Sequence, residues 1–124
     1  MTIQAGESIP TISPVEAERR LREGDPGGRR PLLVDVRNMD EFLEARVAGS
    51  RFIPLPEFGA RFEELPRDRP LFLFCRSGAR SAAATAHLVR EGWTDVSNVT
   101  GGLIGWQWAN LPVVSGPLEP GEGS

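Results

Sequence analysis

A single cysteine, Cys75, ends the apolar run Leu71-Phe72-Leu73-Phe74 and is followed by Arg76-Ser77-Gly78-Ala79-Arg80-Ser81. A thiol acts as a nucleophile only as the thiolate. Nearby arginines and a helix N-terminus both lower a thiol pKa from its usual value of about 8.5. The alanine-rich stretch after the loop has the makings of such a helix. Gly78 permits the unusual backbone angles by which consecutive N–H groups converge on one point. Strand, loop and helix start would together make an anion cradle with Cys75 at its rim. The competing reading is a small buried hydrophobe closing a strand, the commonest fate of a free cysteine. The polar and charged neighbours weigh against it.

A Cys–His pair is the next requirement to check. His87 is the only histidine, and it falls several residues into the helix after the loop. At a rise of about 1.5 Å per residue, its backbone is on the order of 10 Å from the helix start. It reads as a surface or partly buried helix residue, so activation of Cys75 is left to the loop. All 14 basic residues are arginines, which excludes Schiff-base and lysine-nucleophile chemistry. One cysteine with one histidine argues against a zinc site, and a lone cysteine implies no oxidising compartment. Gly101-Gly102-Leu103-Ile104-Gly105 misses the dinucleotide spacing. Trp93, Trp106 and Trp108 read as core or groove packing.

These residues need a scaffold, and 124 residues fit one domain able to bury a core without staples. Hydrophobic content of 40% and charged content of 25% are those of an ordinary globular chain. A formal charge of -3 offers no net basic surface for nucleic acid. Met1 to Glu7 lacks the basic and apolar regions of a secretory signal, and no apolar run approaches the roughly 20 residues of a membrane span. A soluble cytoplasmic protein is the expectation, with no nucleic-acid or membrane partner.

Residues 1–8 are expected to be a flexible lead-in, 9–114 the folded domain, and 115–124, rich in Gly, Pro, Glu and Ser, a disordered tail. Ile9 to Ile12 suit an edge strand, where proline is tolerated. Ser13 with Glu16, and Pro14 at the first helical position, open a helix ending at Gly24. Leu32 to Val36 read as a strand buried on both faces. Asn38 with Glu41 opens a short helix through about Ala45, and Phe52-Ile53 a short strand. Phe58, Phe62 and Leu65 fall at helical spacing. Leu71 to Phe74 lead to the loop, and Ser81 to Glu91 form a helix with Ala82, Ala86 and Val89 on one face. Val96 to Val99 make a last strand, and Gly101-Gly102 open a last helix carrying Trp106. Strands alternating with helices predict an α/β fold whose parallel sheet carries helices on both faces. Ligands bind such sheets at the carboxyl ends of strands, where Cys75 falls.

From about Ser13 to Val113 the chain resembles the single-domain rhodaneses, thiosulfate or persulfide sulfurtransferases. The matching pieces are Leu33-Val34-Asp35-Val36-Arg37 with Glu41-Phe42, Ala48 to Leu55, the loop Cys75 to Ser81, and Val99-Thr100-Gly101-Gly102 with Trp106 and Leu111-Pro112-Val113. Arg46 stands where the family often has histidine. The resemblance implies a three-layer sandwich around a mostly parallel sheet of about five strands. It further implies that Cys75 takes sulfur from a small anionic donor, thiosulfate or a persulfide, and passes it to an external thiol, cyanide or thiol protein. No cofactor or metal is implied. Arg76, Ser77, Gly78, Ala79 and Arg80 would form the substrate-binding loop, with Asp35 and Arg37 as braces. Arg80 is open between donor binding and a structural clamp paired with Asp35. Arg46, Phe58 to Arg61 and the Trp106 region are expected at the pocket rim. A persulfide carrier or interaction module serving a partner is the alternative. Related phosphatases need Cys-x5-Arg, whereas Cys75 and Arg80 give Cys-x4-Arg, a smaller cradle suited to one sulfur atom.

Overall fold

The computed structural model describes residues 8–124, so the lead-in expected at residues 1–8 lies, but for Ser8, outside the described residues. The elements run β1 (Thr11–Ile12), α1 (Pro14–Glu23), β2 (Leu32–Asp35), α2 (Met39–Glu44), β3 (Arg51–Phe52), α3 (Leu55–Arg61) with a 3-10 turn (Phe62–Glu64), β4 (Leu71–Phe74), α4 (Ala79–Arg90), β5 (Val96–Val99) and α5 (Gly102–Trp108). All five strands are parallel, in the order β1-β5-β4-β2-β3. The strand that delivers Cys75 is therefore the central one.

Side chains alternate across a strand, and β4 uses both faces. Leu71 and Leu73 pack with Phe58 of α3, Ala84 and Leu88 of α4, and Trp93. Phe72 and Phe74 pack on the other side with Ala17 of α1 and Trp106 of α5. Such two-sided burial explains why β4 is a continuous apolar run and β2 is one up to Asp35. Each buried indole finds an acceptor: Trp93 Nε1 donates to Pro66 O at 3.2 Å and Trp106 Nε1 to Pro112 O at 3.0 Å. Among the described residues, no helix is long and apolar enough to cross a membrane.

Helix α1 begins and ends where its caps require. Ser13 Oγ accepts the Glu16 N–H at 3.2 Å, and the Gly24 N–H closes on Arg20 O. Glu16 does not complete the box, because its carboxylate pairs with Arg19. Two expectations are corrected. Helix α4 buries Ser81, Ala83, Ala84, Thr85, Ala86 and Leu88, so of Ala82, Ala86 and Val89, expected on one face, only Ala86 is buried; Ala82 is half-buried and Val89 is exposed. Trp108 is 83% exposed and packs in no core. Residues 115–124, expected as a disordered tail, lie against α2 and β3. Phe52 N–H donates to Gly123 O at 2.8 Å, and Arg46 pairs with Glu122.

Candidate active site

Cys75 follows β4, and the helix dipole of α4 starts three residues later with Gly78 as its N-cap. Gly78 has φ +105°, a left-handed conformation that lets the chain turn its N–H groups inward. Its N–H donates to Cys75 Sγ at 3.1 Å. The Ser81 N–H and hydroxyl lie 3.4 and 3.3 Å from the same sulfur. Cys75 itself is 1% exposed, so the sulfur sits at the base of the loop, not on the surface. Burial is the largest influence on its thiol and pushes the pKa up. The Ser81 hydroxyl, with the N–H groups of Ser81, Gly78 and Ser77, outweighs it and brings the pKa below its ordinary value.

The loop is held from behind by α5. Leu103 N–H donates to Cys75 O at 2.9 Å and Ile104 N–H to Arg76 O at 3.1 Å. With its carbonyls turned to α5, the loop keeps its N–H groups for the sulfur. This docking needs a glycine: a Cβ on Gly102 would stand 2.2 Å from Cys75 O, at a φ of +51°.

The arginines divide the work. Arg80 Nη1 and Nη2 bind the two oxygens of Glu41 at 2.7 and 2.9 Å, a bidentate clamp from α4 to α2. The partner expected for Arg80, Asp35, is engaged elsewhere. Asp35 and Arg37 form a fully buried pair at the end of β2, with Arg37 Nη2 2.8 Å from Asp35 Oδ2. Burial pushes the Asp35 carboxyl up, against the pull of the Arg37 guanidinium. Arg37 also donates to Glu41 O at 3.3 Å and Ala45 O at 2.6 Å, so the pair braces α2. Arg76 is exposed and lines a cleft of about 180 Å³ with Arg37, Glu41, Glu44, Ala45, Leu103 and Gln107. Ser77 and Ala79 are exposed on the loop.

Of the residues expected at the rim, the Trp106 region contributes Leu103 and Gln107 to the Arg76 cleft, while three others lie elsewhere. Phe58 and Trp106 are core, and Arg46 is buried where it anchors residues 115–124. His87 is no base: its ring packs edge-on against Phe62, with centroids 4.6 Å apart. Among the described residues, no cluster of three or more His, Cys, Asp or Glu is gathered for a metal. Three contributors to the site escaped the sequence reading. Glu41 was legible as a capping residue and a matching position but not as the partner of Arg80, and Gly102 as part of a helix-opening Gly-Gly pair but not as the point where α5 meets the loop. Asn98 left one signal, a buried polar residue in the apolar strand β5.

The rhodanese-like domain matches residues 13–109. A sulfurtransferase of Allochromatium vinosum is 38% identical over 84 residues, which cover 68% of this chain and 78% of that protein. The probable adenylyltransferase/sulfurtransferase MoeZ of Mycobacterium tuberculosis is 36% identical over 98 residues, 77% of this chain but only 24% of that protein. This chain therefore spans about a quarter of that relative. The crystal structure of a rhodanese-related protein from Thermoplasma volcanium overlays with a TM-score of 0.75 at 28% identity, covering 85% of this chain and 97% of the other.

Proposed function

This chain belongs to the rhodanese-like domain family, and on that premise we propose that it is a sulfurtransferase working through a persulfide on Cys75. The observation that carries this reading is the convergence of the Gly78 N–H, the Ser81 N–H and the Ser81 hydroxyl on one sulfur. Such donors favour negative charge at that point without a general base.

In the first step the Cys75 thiolate attacks the outer sulfur of thiosulfate or a related donor. The new S–S bond forms as the donor's own S–S bond breaks, and its electron pair leaves with sulfite. The negative charge passes to the outer sulfur of the persulfide. An acceptor thiolate or cyanide then attacks that outer sulfur and returns Cys75 as the thiolate. This is covalent catalysis with ping-pong kinetics. With one cysteine in the chain, the acceptor must come from outside. Arg76, exposed on the cleft wall, supplies attraction for an anionic donor, while Arg80 acts as the loop's clamp. A thiol that must stay reduced suits a reducing compartment such as the cytoplasm.

The same loop disfavours phosphoryl chemistry, because four residues between Cys75 and Arg80 leave a cradle too small to encircle a tetrahedral phosphate. The test is intact mass after incubation with thiosulfate. The wild type is expected to gain about 32 Da, one sulfur atom, and Cys75→Ala nothing. An unchanged wild-type mass, with thiosulfate and with a low-molecular-weight persulfide, overturns the reading.

A further inference from the structure

Behind the Cys75 sulfur the Ser81 hydroxyl leads on to Asn98, a buried side chain that the persulfide cycle does not call on. The Ser81 hydroxyl has one proton and three acceptors in reach: Asn98 Oδ1 at 2.6 Å, Cys75 Sγ at 3.3 Å and Gly78 O at 3.3 Å. One proton serves one of them at a time. Asn98 is buried on β5, and its Nδ2 donates to Gly78 O at 3.1 Å. A carbonyl only accepts, so the amide nitrogen must face Gly78 and the amide oxygen must face Ser81. The Gly78 carbonyl also receives the Ala82 N–H at 3.0 Å and does not depend on Ser81. The contest for the hydroxyl proton is therefore between Asn98 and the sulfur.

We propose that Asn98 is a positioning residue that competes with Cys75 Sγ for the Ser81 hydroxyl proton. The hydroxyl turns to Sγ while Sγ carries the negative charge, and returns to Asn98 once that charge has moved to the outer sulfur of the persulfide. The second half rests on the persulfide reading above; the first does not.

A thiolate is a strong acceptor and draws the hydroxyl, leaving Asn98 Oδ1 buried without its closest donor. A neutral thiol or the bridging sulfur of a persulfide is a weak acceptor, and the hydroxyl goes back to the amide oxygen at 2.6 Å. Asn98 thus disfavours charge held on Sγ relative to charge passed outward, which favours loading. A merely structural Asn98, steadying Gly78, would act with the opposite sign: its loss would loosen the N–H cradle and make the thiol less acidic. The charged groups around the loop are Arg76 and Arg80 on the loop and α4, Glu41 and Glu44 on α2, and Asp35 and Arg37 at the end of β2. None of them hydrogen-bonds to the Asn98 or Ser81 side chain.

The experiment is the pH dependence of iodoacetamide alkylation of the chain's one cysteine, in the wild type, Asn98→Leu, Ser81→Ala and the double variant. Asn98→Leu should yield about threefold more thiolate than wild type at a fixed pH below the midpoint, and Ser81→Ala about threefold less. In the Ser81→Ala background, Asn98→Leu should change nothing, since no hydroxyl remains to contest. A higher or unchanged midpoint in Asn98→Leu, or a shift that persists without the Ser81 hydroxyl, overturns the proposal. Asn98→Ala carries the same expected sign and stands in if the leucine variant does not fold. At a pH where all variants are thiolate, Asn98→Leu should hold less persulfide than wild type at equal thiosulfate and sulfite. An equal or larger share overturns the second half. A wild type that titrates as described but takes no sulfur overturns the function reading and leaves the contest for the hydroxyl standing.

Discussion

Cys75 has no imidazole to call on, so each group around it has to hold the loop or the charge. Arg80 does the former. Its clamp to Glu41 spans 39 residues of sequence and joins the first turn of α4 to α2, whose own N-terminus Glu41 caps through the Asn38 N–H at 3.0 Å. The Arg80 guanidinium lowers the Glu41 carboxyl from its ordinary 4.5 to about 2, burial opposing and the Asn38 N–H assisting. The folded value lies below the unfolded one. The clamp's stabilisation is therefore complete above about pH 4.5 and is lost as the pH falls towards 2. Both side chains are partly solvated, which holds the contribution to about 1 kcal/mol. Arg80→Lys keeps the charge and loses the fork, so it should cost most of that amount. Urea unfolding between pH 5 and pH 2, compared with Glu41→Gln, checks this. An acid slope as steep in Glu41→Gln as in the wild type means that the clamp contributes nothing.

At the scale of elements, the loop is a joint between β4, α4 and α5, and α5 can approach only because residue 102 has no side chain. Gly102→Ala would drive a Cβ into the Cys75 carbonyl and add a methyl at positive φ. Strain and overpacking together should cost about 2–5 kcal/mol. Displaced from Leu103 and Ile104, the Cys75 and Arg76 carbonyls lose their donors, and the N–H cradle should open. The variant is expected to load sulfur more slowly even at temperatures where circular dichroism finds it folded. Wild-type loading in a folded Gly102→Ala would show that α5 does not shape the loop. The elements themselves were largely legible. Leu32 to Asp35 and Leu71 to Phe74 announce two-sided burial, and Ser13, Pro14 and Gly24 bracket α1 to the residue. The buried face of α4 was not, because a helix with alanine all round has no apolar stripe to read; small residues pack wherever the sheet is closest. The partner of Arg80 was hidden for a different reason. Asp35 and Glu41 are both carboxylates near the loop, and only the prior claim of Arg37 on Asp35 decides between them.

The whole molecule extends beyond the unit that composition suggested. Residues 115–124 look like a solvated tail by content, yet one buried arginine organises them. Arg46 donates to Phe42 O, to Gly116 O at 2.8 Å, to Pro117 O, and to Glu122 Oε1 at 3.0 Å. Pairs separated by 76 residues leave no local trace, so composition alone could not reveal them. Gly123 then lies against Phe42 and Phe52, whose rings stack with centroids 4.6 Å apart. Its carbonyl accepts the Phe52 N–H and covers the exposed edge of β3. We propose that the folding unit runs from residue 9 to residue 124, with the last ten residues serving stability and not chemistry. Their contacts fall on α2 and β3, whereas the Cys75 loop is built from β4, α4, β5 and α5. Removing residues 115–124 should cost about 1–3 kcal/mol through the lost ion pair, hydrogen bonds and edge cover, a fall of several degrees in Tm. Below that lower Tm, loading of Cys75 by thiosulfate should match the full chain. Calorimetry and intact mass on the shortened protein decide both halves: an unchanged Tm would mean that the segment does not hold the edge, and lost loading in the folded state would mean that it reaches the site through α2.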